Sequence, residues 1–274
     1  MMKRFASPEA IVNRPDARSA LVELLFQLAD DDLFVAHRAS EWLGLAPHIE
    51  EDVAFSSIAQ NTMGHALYWY TLLEPLTGKN ADDLAYLRPR EAYRQAILVE
   101  RPNGPGLFYE NPSYDWAYAV VRGLAYETFK RIRLEALASS SYVPLAEAAL
   151  KMRDEQFYHL YHWKTWWSEL SQSTDEARRR LTEAARSVFH DLPTLWDLGP
   201  KAETIVRLGL GPSAEEIERK TLKALEAEFR RVALSLPPLG SPAFTGREGQ
   251  HTDEGWAAIQ MMGEVYRMAP EAAW

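Results

Sequence analysis

Apolar residues recur at intervals of three and four along most of the chain, and this spacing predicts long amphipathic helices. The first apolar stripe consists of Leu21, Leu24, Leu25, Leu28 and Val35. The helix that carries it is predicted from about Asp16 to Trp42, and the GLAP segment at residues 44–47 ends it.

A second helix is predicted from about Glu50 to about Leu73. Its first turn is acidic, which suits the positive end of a helix dipole, and Pro75 and Gly78 are expected to close it. A long connection follows at residues 79–113, because the RPNGPG and NPS segments break the helical pattern. This connection is too long for a tight turn between antiparallel neighbours.

Two more long helices are predicted, from about Tyr114 to Ser139 and from about Pro144 to Leu170, with a short SSSYV turn between them. Two long helices, a long crossover and two further long helices describe a ferritin-like bundle. The predicted fold class is therefore all-α, a ferritin-like four-helix bundle with a long crossover between helices 2 and 3. An up-down bundle without a crossover is the main alternative.

The remaining residues predict additional C-terminal helices. One runs from the STDEARRR segment to about Phe189, and another spans about Ser213 to Leu236. A loop rich in Pro, Gly and Ser, PPLGSPAFTGREGQHT, then leads to a short helix with the sequence DEGWAAIQMMGEVYRMAP.

The composition agrees with a single helical domain. Hydrophobic residues make up 47 % of the 274 residues, and nine Trp, twelve Tyr and ten Phe are enough to build a core. Ala, Leu, Glu and Arg dominate, which favours helices over strands. We expect one domain over residues 1–274, with the core bundle at about 16–170 and a helical extension at about 171–274.

Net charge and cysteine content exclude several classes of function. A net charge of -9 argues against nucleic acid as a partner. The absence of cysteine excludes disulfides, thiolate metal ligands and cysteine nucleophiles. No apolar stretch reaches the roughly 20 residues of a membrane span, and the first residues lack a signal-peptide pattern. We expect a cytoplasmic protein with no membrane partner.

Each of the four predicted bundle helices carries polar residues near its middle, on the side expected to face inward. These residues are Asp31 in the first helix, Asn61 and His65 in the second, Glu127 in the third, and Glu155 and His159 in the fourth. Inward positions of a bundle converge, and metal sites of bundles are built there. The six residues are therefore the candidate metal positions.

A di-iron site of this architecture uses a Glu from each of two helices and Glu-x-x-His from each of the other two. This chain has no Glu-x-x-His, because Glu155 and His159 are four residues apart and Asn61 stands four residues before His65. Fewer carboxylates weaken the binding of a hard metal ion. We expect no metal and no other cofactor on this chain, although a mononuclear site from the two histidines and one carboxylate is left open.

The competing interpretation of these polar residues is a buried hydrogen-bonded network. Arg38 or Arg131 and the histidines would then neutralise the carboxylates, since buried charges are costly unless they are paired. The other histidines, His37, His48, His190 and His251, lie near predicted helix ends or loops, and His162 lies beside tryptophans. No nucleotide-binding or nucleophile motif is present.

Four blocks of the sequence point to a family. They are LADDDLFVAHRASEWLGLAPHIEEDVAFSSIAQNTMGHA, DDLAYLRPREAYRQAILVERPNG, DEQFYHLYH and GREGQHTDEGWAAIQMMGEVYRMAPEAAW. Together they resemble the ferritin-like C subunits of the bacterial phenylacetyl-CoA epoxidase, also called phenylacetate-CoA oxygenase. The resemblance covers most of the chain and is weakest at about residues 1–18 and 171–240.

The resemblance implies a non-catalytic structural subunit that acts in aerobic phenylacetate catabolism. In that family a related ferritin-like A subunit holds the di-iron centre and the CoA thioester. The multicomponent monooxygenase epoxidises the aromatic ring with O2 and electrons from NADPH. The expected partner is therefore the catalytic A subunit, with a homodimer left open, and the six candidate positions are expected to be degenerate.

Two other functions remain as alternatives. The chain could be a metal-dependent oxidase or hydroxylase in its own right, using the candidate positions other than Asn61. It could also be a bundle that binds an aromatic or acyl-CoA molecule in its aromatic-rich core. If the chain is a supporting subunit, Trp163, Trp166 and Trp167 are the predicted anchors for its partner.

Overall fold

The computed structural model describes residues 4–272, and within that range the secondary structure is helical, with no β-strand. Ala273 and Trp274, at the end of the fourth sequence block above, lie outside the described residues. The helices in chain order are α1 (Pro8–Val12), α2 (Pro15–Ser40), α3 (Ile49–Thr77), α4 (Ala81–Tyr86), α5 (Ile97–Glu100), α6 (Trp116–Leu137), α7 (Val143–Ser173), α8 (Asp175–Asp191), α9 (Ala202–Arg207), α10 (Ala214–Arg231), α11 (Asp253–Met262) and α12 (Glu264–Met268). The all-α prediction is confirmed.

Four long helices form the centre of the molecule. Helix α2 packs against α3, α6 packs against α7, and α3 also contacts α7. Helices α8 and α10 pack on α6, while α1, α5 and α9 pack around α2. As a result α2 is buried nearly all round, and both apolar and charged side chains along it are removed from solvent. No described helix is long and apolar enough to cross a membrane.

Helix α3 passes through Pro75, so the prediction that this proline ends the helix was wrong. The helix continues to Thr77, and Gly78 closes it with a φ of +76°. Proline removes one backbone hydrogen bond, and its ring crowds the carbonyl four residues before it, so the helix carries this cost close to its end. The glycine adopts the left-handed conformation that commonly ends a helix.

Helices α6 and α7 approach closely at Gly123. A Cβ atom on this residue would lie 2.4 Å from two carbon atoms of the Trp163 indole. The tryptophan ring therefore occupies the space that a side chain on α6 would need. Small residues permit such close contact between helices, at some cost in helix propensity.

The buried and exposed aromatic residues of α7 are not the ones that were predicted. Trp163 and Trp167 are buried, and Trp166 is half-buried, so the first two are not available as partner anchors. The exposed aromatic residues of this helix are Phe157, Tyr158 and Tyr161.

The C-terminal segment closes over the connection between α3 and α6. A single turn of 3-10 helix at Gly246–Glu248 places Arg247, which is fully buried, into the centre of the molecule. A Cβ atom at Gly246 would lie 1.8 Å from the carbonyl oxygen of Gln95, so this backbone contact requires glycine. This turn of the tail is therefore part of the packed interior.

Candidate polar core between the long helices

Three consecutive aspartates, Asp30, Asp31 and Asp32, lie in the middle of α2, and each is at most 2 % exposed. Successive residues of a helix point about 100° apart, so the three carboxylates face three different parts of the protein. A buried carboxylate is costly unless a cation and hydrogen-bond donors compensate it. Each aspartate has its own set of such partners.

Asp32 faces the centre of the bundle, where it accepts hydrogen bonds from three side chains. Lys130 Nζ lies 2.6 Å and Tyr126 Oη 2.8 Å from its Oδ1, and Trp69 Nε1 lies 3.0 Å from its Oδ2. Lys130 Nζ also lies 3.0 Å from His65 Nδ1. The other ring nitrogen of this histidine, Nε2, lies 2.9 Å from Glu155 Oε2. A continuous chain of polar contacts therefore runs from Asp32 through Lys130 and His65 to Glu155.

The proton positions along these contacts follow from the donor capacity of each group. The ammonium group of Lys130 can only donate, so Nδ1 of His65 must accept. The proton of the neutral imidazole then lies on Nε2, which donates to Glu155. His65 is therefore held as one neutral tautomer between an ammonium group and a carboxylate.

Burial and neighbouring charge shift the pKa values in the same region. Burial raises the pKa of Asp32, and the charge of Lys130 and the three hydrogen bonds only partly oppose this. Burial, followed by the charges of Lys130 and His159, lowers the pKa of His65 to about 2. Both the hydrogen bonding and the pKa favour the uncharged imidazole.

A second polar pair lies next to these residues. His159 Nδ1 is 3.8 Å from Glu127 Oε1, which is within ion-pair range but beyond hydrogen-bond distance. Gln156 Nε2 donates to the Glu127 carboxylate at 3.1 Å and to its backbone carbonyl. Burial alone would raise the pKa of Glu127, but His159, Lys130 and Gln156 outweigh it, and the pKa is lowered.

Asp31 belongs to a different part of the interior. Arg247 Nη1 and Nη2 bind its two carboxylate oxygens at 2.9 and 2.8 Å, and Arg133 Nη1 lies 3.3 Å away. The backbone amide of Ala96 donates to Oδ1 at 2.8 Å. Asp31 therefore fixes the C-terminal segment and the α3–α6 connection to α2, and does not face His65 or Glu127.

Two further buried polar pairs were missed at the sequence level. Asp30 pairs with Arg88 of the connection and accepts a hydrogen bond from Tyr70. Glu100 pairs with His251, for which no partner was predicted. These pairs hold the connection to the bundle and the tail to the connection.

The six candidate positions are thus only partly brought together. His65 pairs with Glu155, and Glu127 lies beside His159, with the two imidazole centroids 6.2 Å apart. Asn61 is exposed, and the Glu155 side chain is 46 % exposed.

The inward residues one turn before each histidine are instead Thr62 and Gln156, both fully buried. Residues three and four positions before a histidine lie on opposite sides of it, so periodicity alone did not decide between them. The buried pairs at the interval of Glu-x-x-His are therefore Thr62 with His65, and Gln156 with His159.

The predicted counter-ions were also wrong. Arg38 pairs with Glu41, and Arg131 pairs with Glu135 at the surface. The cation in the bundle centre is Lys130, which was not predicted. A buried polar network was the competing interpretation of the candidate residues, and the network exists with different cations.

The residues of this core do not fit a di-iron centre. Thr62 and Gln156 stand at the two positions where Glu-x-x-His would carry an acid, which leaves Asp32 and Glu127 as the buried carboxylates of the bundle centre. Both nitrogens of His65 are engaged, one of them with Lys130. Within residues 4–272, no three His, Asp or Glu side chains are grouped so that they could hold a metal ion.

Comparison with known proteins agrees with this architecture. Residues 5–274 match the family described as phenylacetic acid catabolic protein. The chain is 24 % identical to the C subunit of the 1,2-phenylacetyl-CoA epoxidase of Escherichia coli (strain K12), over 93 % of this chain and 99 % of its relative. It is 25 % identical to the A subunit of the same enzyme, over 68 % of this chain and 56 % of that relative. The chain therefore belongs to the phenylacetic acid catabolic protein family, with the all-α, ferritin-like fold that the resemblance predicted.

Proposed function

We propose that this chain is a non-catalytic subunit that supports the di-iron catalytic subunit of a phenylacetyl-CoA epoxidase. The observation that carries the proposal is the ammonium group of Lys130, which lies within hydrogen-bond distance of Asp32 and His65. In a catalytic relative, groups of these types would be available to metal. Here they are satisfied by a side chain of the protein itself.

The charge balance supports the same proposal. Two ferrous ions carry a charge of +4, and a di-iron site of this architecture has four carboxylates to balance it. The bundle centre of this chain retains Asp32 and Glu127, and a lysine already contributes a positive charge. Adding metal cations would therefore leave an uncompensated positive charge in a buried region.

A partner role is supported by the comparisons and by the surface. The similarity to both the C and the A subunit of one enzyme means that the partner would be a related chain. Large apolar side chains are exposed on α3 and α7, among them Ile49, Val53, Leu67, Phe157 and Tyr158. Exposed apolar surface of this kind often marks a protein interaction site.

Co-expression with the A subunit from the same genome tests the proposal. We expect the two chains to elute together in gel filtration, and phenylacetyl-CoA epoxidation to require both of them. A chain that remains alone in the presence of its proposed partner, or a partner that is stable and fully active without it, would contradict a supporting role. The alternative, an oxidase in its own right, predicts turnover by this chain alone.

A further inference from the structure

We propose that Lys130 occupies a latent divalent-metal position formed by Asp32 and His65, and that its ammonium group is what keeps metal ions out of this core. The inference rests on the proposed function, since it assumes a protein that works without metal. The absence of Glu-x-x-His explains only in part why this chain would bind no metal. The inference gives Lys130 as the further cause.

Two metal-ligand atoms converge on the lysine nitrogen. Asp32 Oδ1 lies 2.6 Å and His65 Nδ1 lies 3.0 Å from Lys130 Nζ. Carboxylate oxygen and imidazole nitrogen are the ligands that Zn²⁺ takes most often apart from thiolate, at about 2.0–2.2 Å. A metal ion at the position of Nζ would therefore require each ligand to move inward by less than about 1 Å.

The surroundings of both ligands are those of a metal site. Histidines that bind metal almost always donate their other ring N–H to a carboxylate, carbonyl or water, which fixes the tautomer. His65 Nε2 donates to Glu155 in this way, so the lone pair of Nδ1 points at the lysine. Trp69 and Tyr126 hold the carboxylate of Asp32 by hydrogen bonds at 3.0 and 2.8 Å.

The lysine lies one helical turn after Glu127 on α6. Lys130 follows Glu127 by three residues, the interval of Glu-x-x-His, so a histidine at this position would complete that motif on α6. The side chain brings a positive charge that is covalently attached and almost fully buried. A divalent cation would have to displace that charge to reach Asp32 and His65.

Zn²⁺ alone is the probe, and Lys130→His is the main variant. This change removes the ammonium group and offers a second imidazole, giving the two-His, one-carboxylate set found in metal sites. We expect the variant to bind about one Zn²⁺ per chain in titration calorimetry and its thermal midpoint to rise with Zn²⁺ concentration. Lys130→Ala, which leaves space for Zn²⁺ and water, should show a weaker rise.

Lys130→Met is the matched control, because it removes the charge but fills the space and adds no strong ligand. Its thermal midpoint should not respond to Zn²⁺. Adding Glu155→Gln to the Lys130→His variant should weaken Zn²⁺ binding by about 10–100-fold, the usual effect of losing the outer partner of a metal-bound histidine. Variants that fail to fold without metal are to be expressed and purified in the presence of Zn²⁺.

The outcomes separate the inference from the proposed function. If the wild-type chain binds Zn²⁺ as tightly as the Lys130→His variant, Lys130 does not exclude metal and the inference fails. It also fails if Zn²⁺ neither binds nor restores folding in the Lys130→His and Lys130→Ala variants, while a metal-free wild type leaves the proposed function intact. Stoichiometric metal in the wild-type chain as isolated would overturn both.

Discussion

Lys130 is the residue on which the charge balance of the bundle centre depends. Its nitrogen is the cationic partner of Asp32 and the donor that sets the tautomer of His65. Removing one member of a buried ion pair costs far more stability than the intact pair contributes, because the other charge stays buried without compensation. The effect of losing this lysine should therefore exceed that of losing any exposed lysine.

The first prediction concerns this ion pair. Lys130→Met should lower the free energy of unfolding in urea by about 3–5 kcal/mol, since the Asp32 carboxylate remains buried without a cation. Lys151→Met on the exposed face of α7 is the control and should change it by less than about 0.5 kcal/mol. Equal effects of the two changes on the free energy of unfolding would show that the buried Lys130–Asp32 pair has no special importance for stability.

The second prediction concerns acid. The pKa is lowered to about 2 for His65 and to about 4 for His37 and His162, in each case mainly by burial. An unfolded histidine titrates near 6.5, so these imidazoles take up protons on unfolding at lower pH. The free energy of unfolding should therefore have its full value above pH about 6.5. It should fall as the pH drops toward 4, by about 1.4 kcal/mol per pH unit for each histidine.

Urea unfolding at several pH values between 7.5 and 5 measures this slope. His65→Gln should reduce the slope by the contribution of about one proton, because glutamine does not titrate. A wild-type stability that is constant over this range, or a slope unchanged in the variant, would contradict a neutral buried His65.

The sequence could locate the polar core but not its connectivity. Asp31 was chosen on α2 because it aligned with Leu24 and Leu28, and a helix buried on one side would have a single inward position. In the structure α2 is buried nearly all round, and it is Asp32, one position further along, that Lys130 connects to His65. A helical wheel carries no information about which sides of a helix its neighbours will cover.

At the scale of the elements, the long helices were predicted to within a few residues because each has a long apolar stripe with clear ends. The contacts between distant segments were not predicted. Arg247 and His251 lie in a loop sequence without periodicity, yet their partners are Asp31 and Glu100 in the interior. Nothing local distinguishes a loop arginine that is buried in an ion pair from one that is solvated.

The third prediction tests the contact of α6 with α7. Gly123→Ala should destabilise the protein, because the added methyl group would lie 2.4 Å from ring atoms of Trp163. Gly64→Ala on α3 is the control, since a Cβ atom there meets no other atom within 4 Å. Higher helix propensity should make that change neutral to stabilising by about 0.5–1 kcal/mol. If the thermal midpoint shifted in the same direction in both variants, the close approach of α6 to α7 would be contradicted.

The fourth prediction tests the attachment of the C-terminal segment. Arg247→Ala should leave Asp31 with Arg133 as its cation and release the segment around Gly246–Glu248 from α2. Backbone amides of this segment should then exchange with deuterium faster than they do in the unsubstituted protein.

Arg231→Ala, on the exposed face of α10, is the control and should leave the exchange of the segment unchanged. Unaltered protection in the Arg247 variant would mean that other contacts are sufficient to hold the tail.

At the scale of the whole molecule, the buried carboxylates of the bundle are compensated by other side chains of the same protein. Asp30, Asp31 and Asp32 each have an arginine or lysine from another part of the chain, and Glu100 lies against the imidazole of His251. These contacts connect α2, the α3–α6 connection, α6 and the tail. The fold therefore has a source of compensation for its buried carboxylates that is independent of metal. This property agrees with the supporting role proposed above.

Metal content tests this account most directly. The chain, expressed together with its proposed catalytic partner in iron-supplemented medium and then separated without chelator, should carry well under one iron or manganese ion per chain, with the iron recovered in the partner. Near-stoichiometric iron or manganese on this chain, lost when Glu155 and His159 are changed to alanine, would contradict a metal-free supporting role.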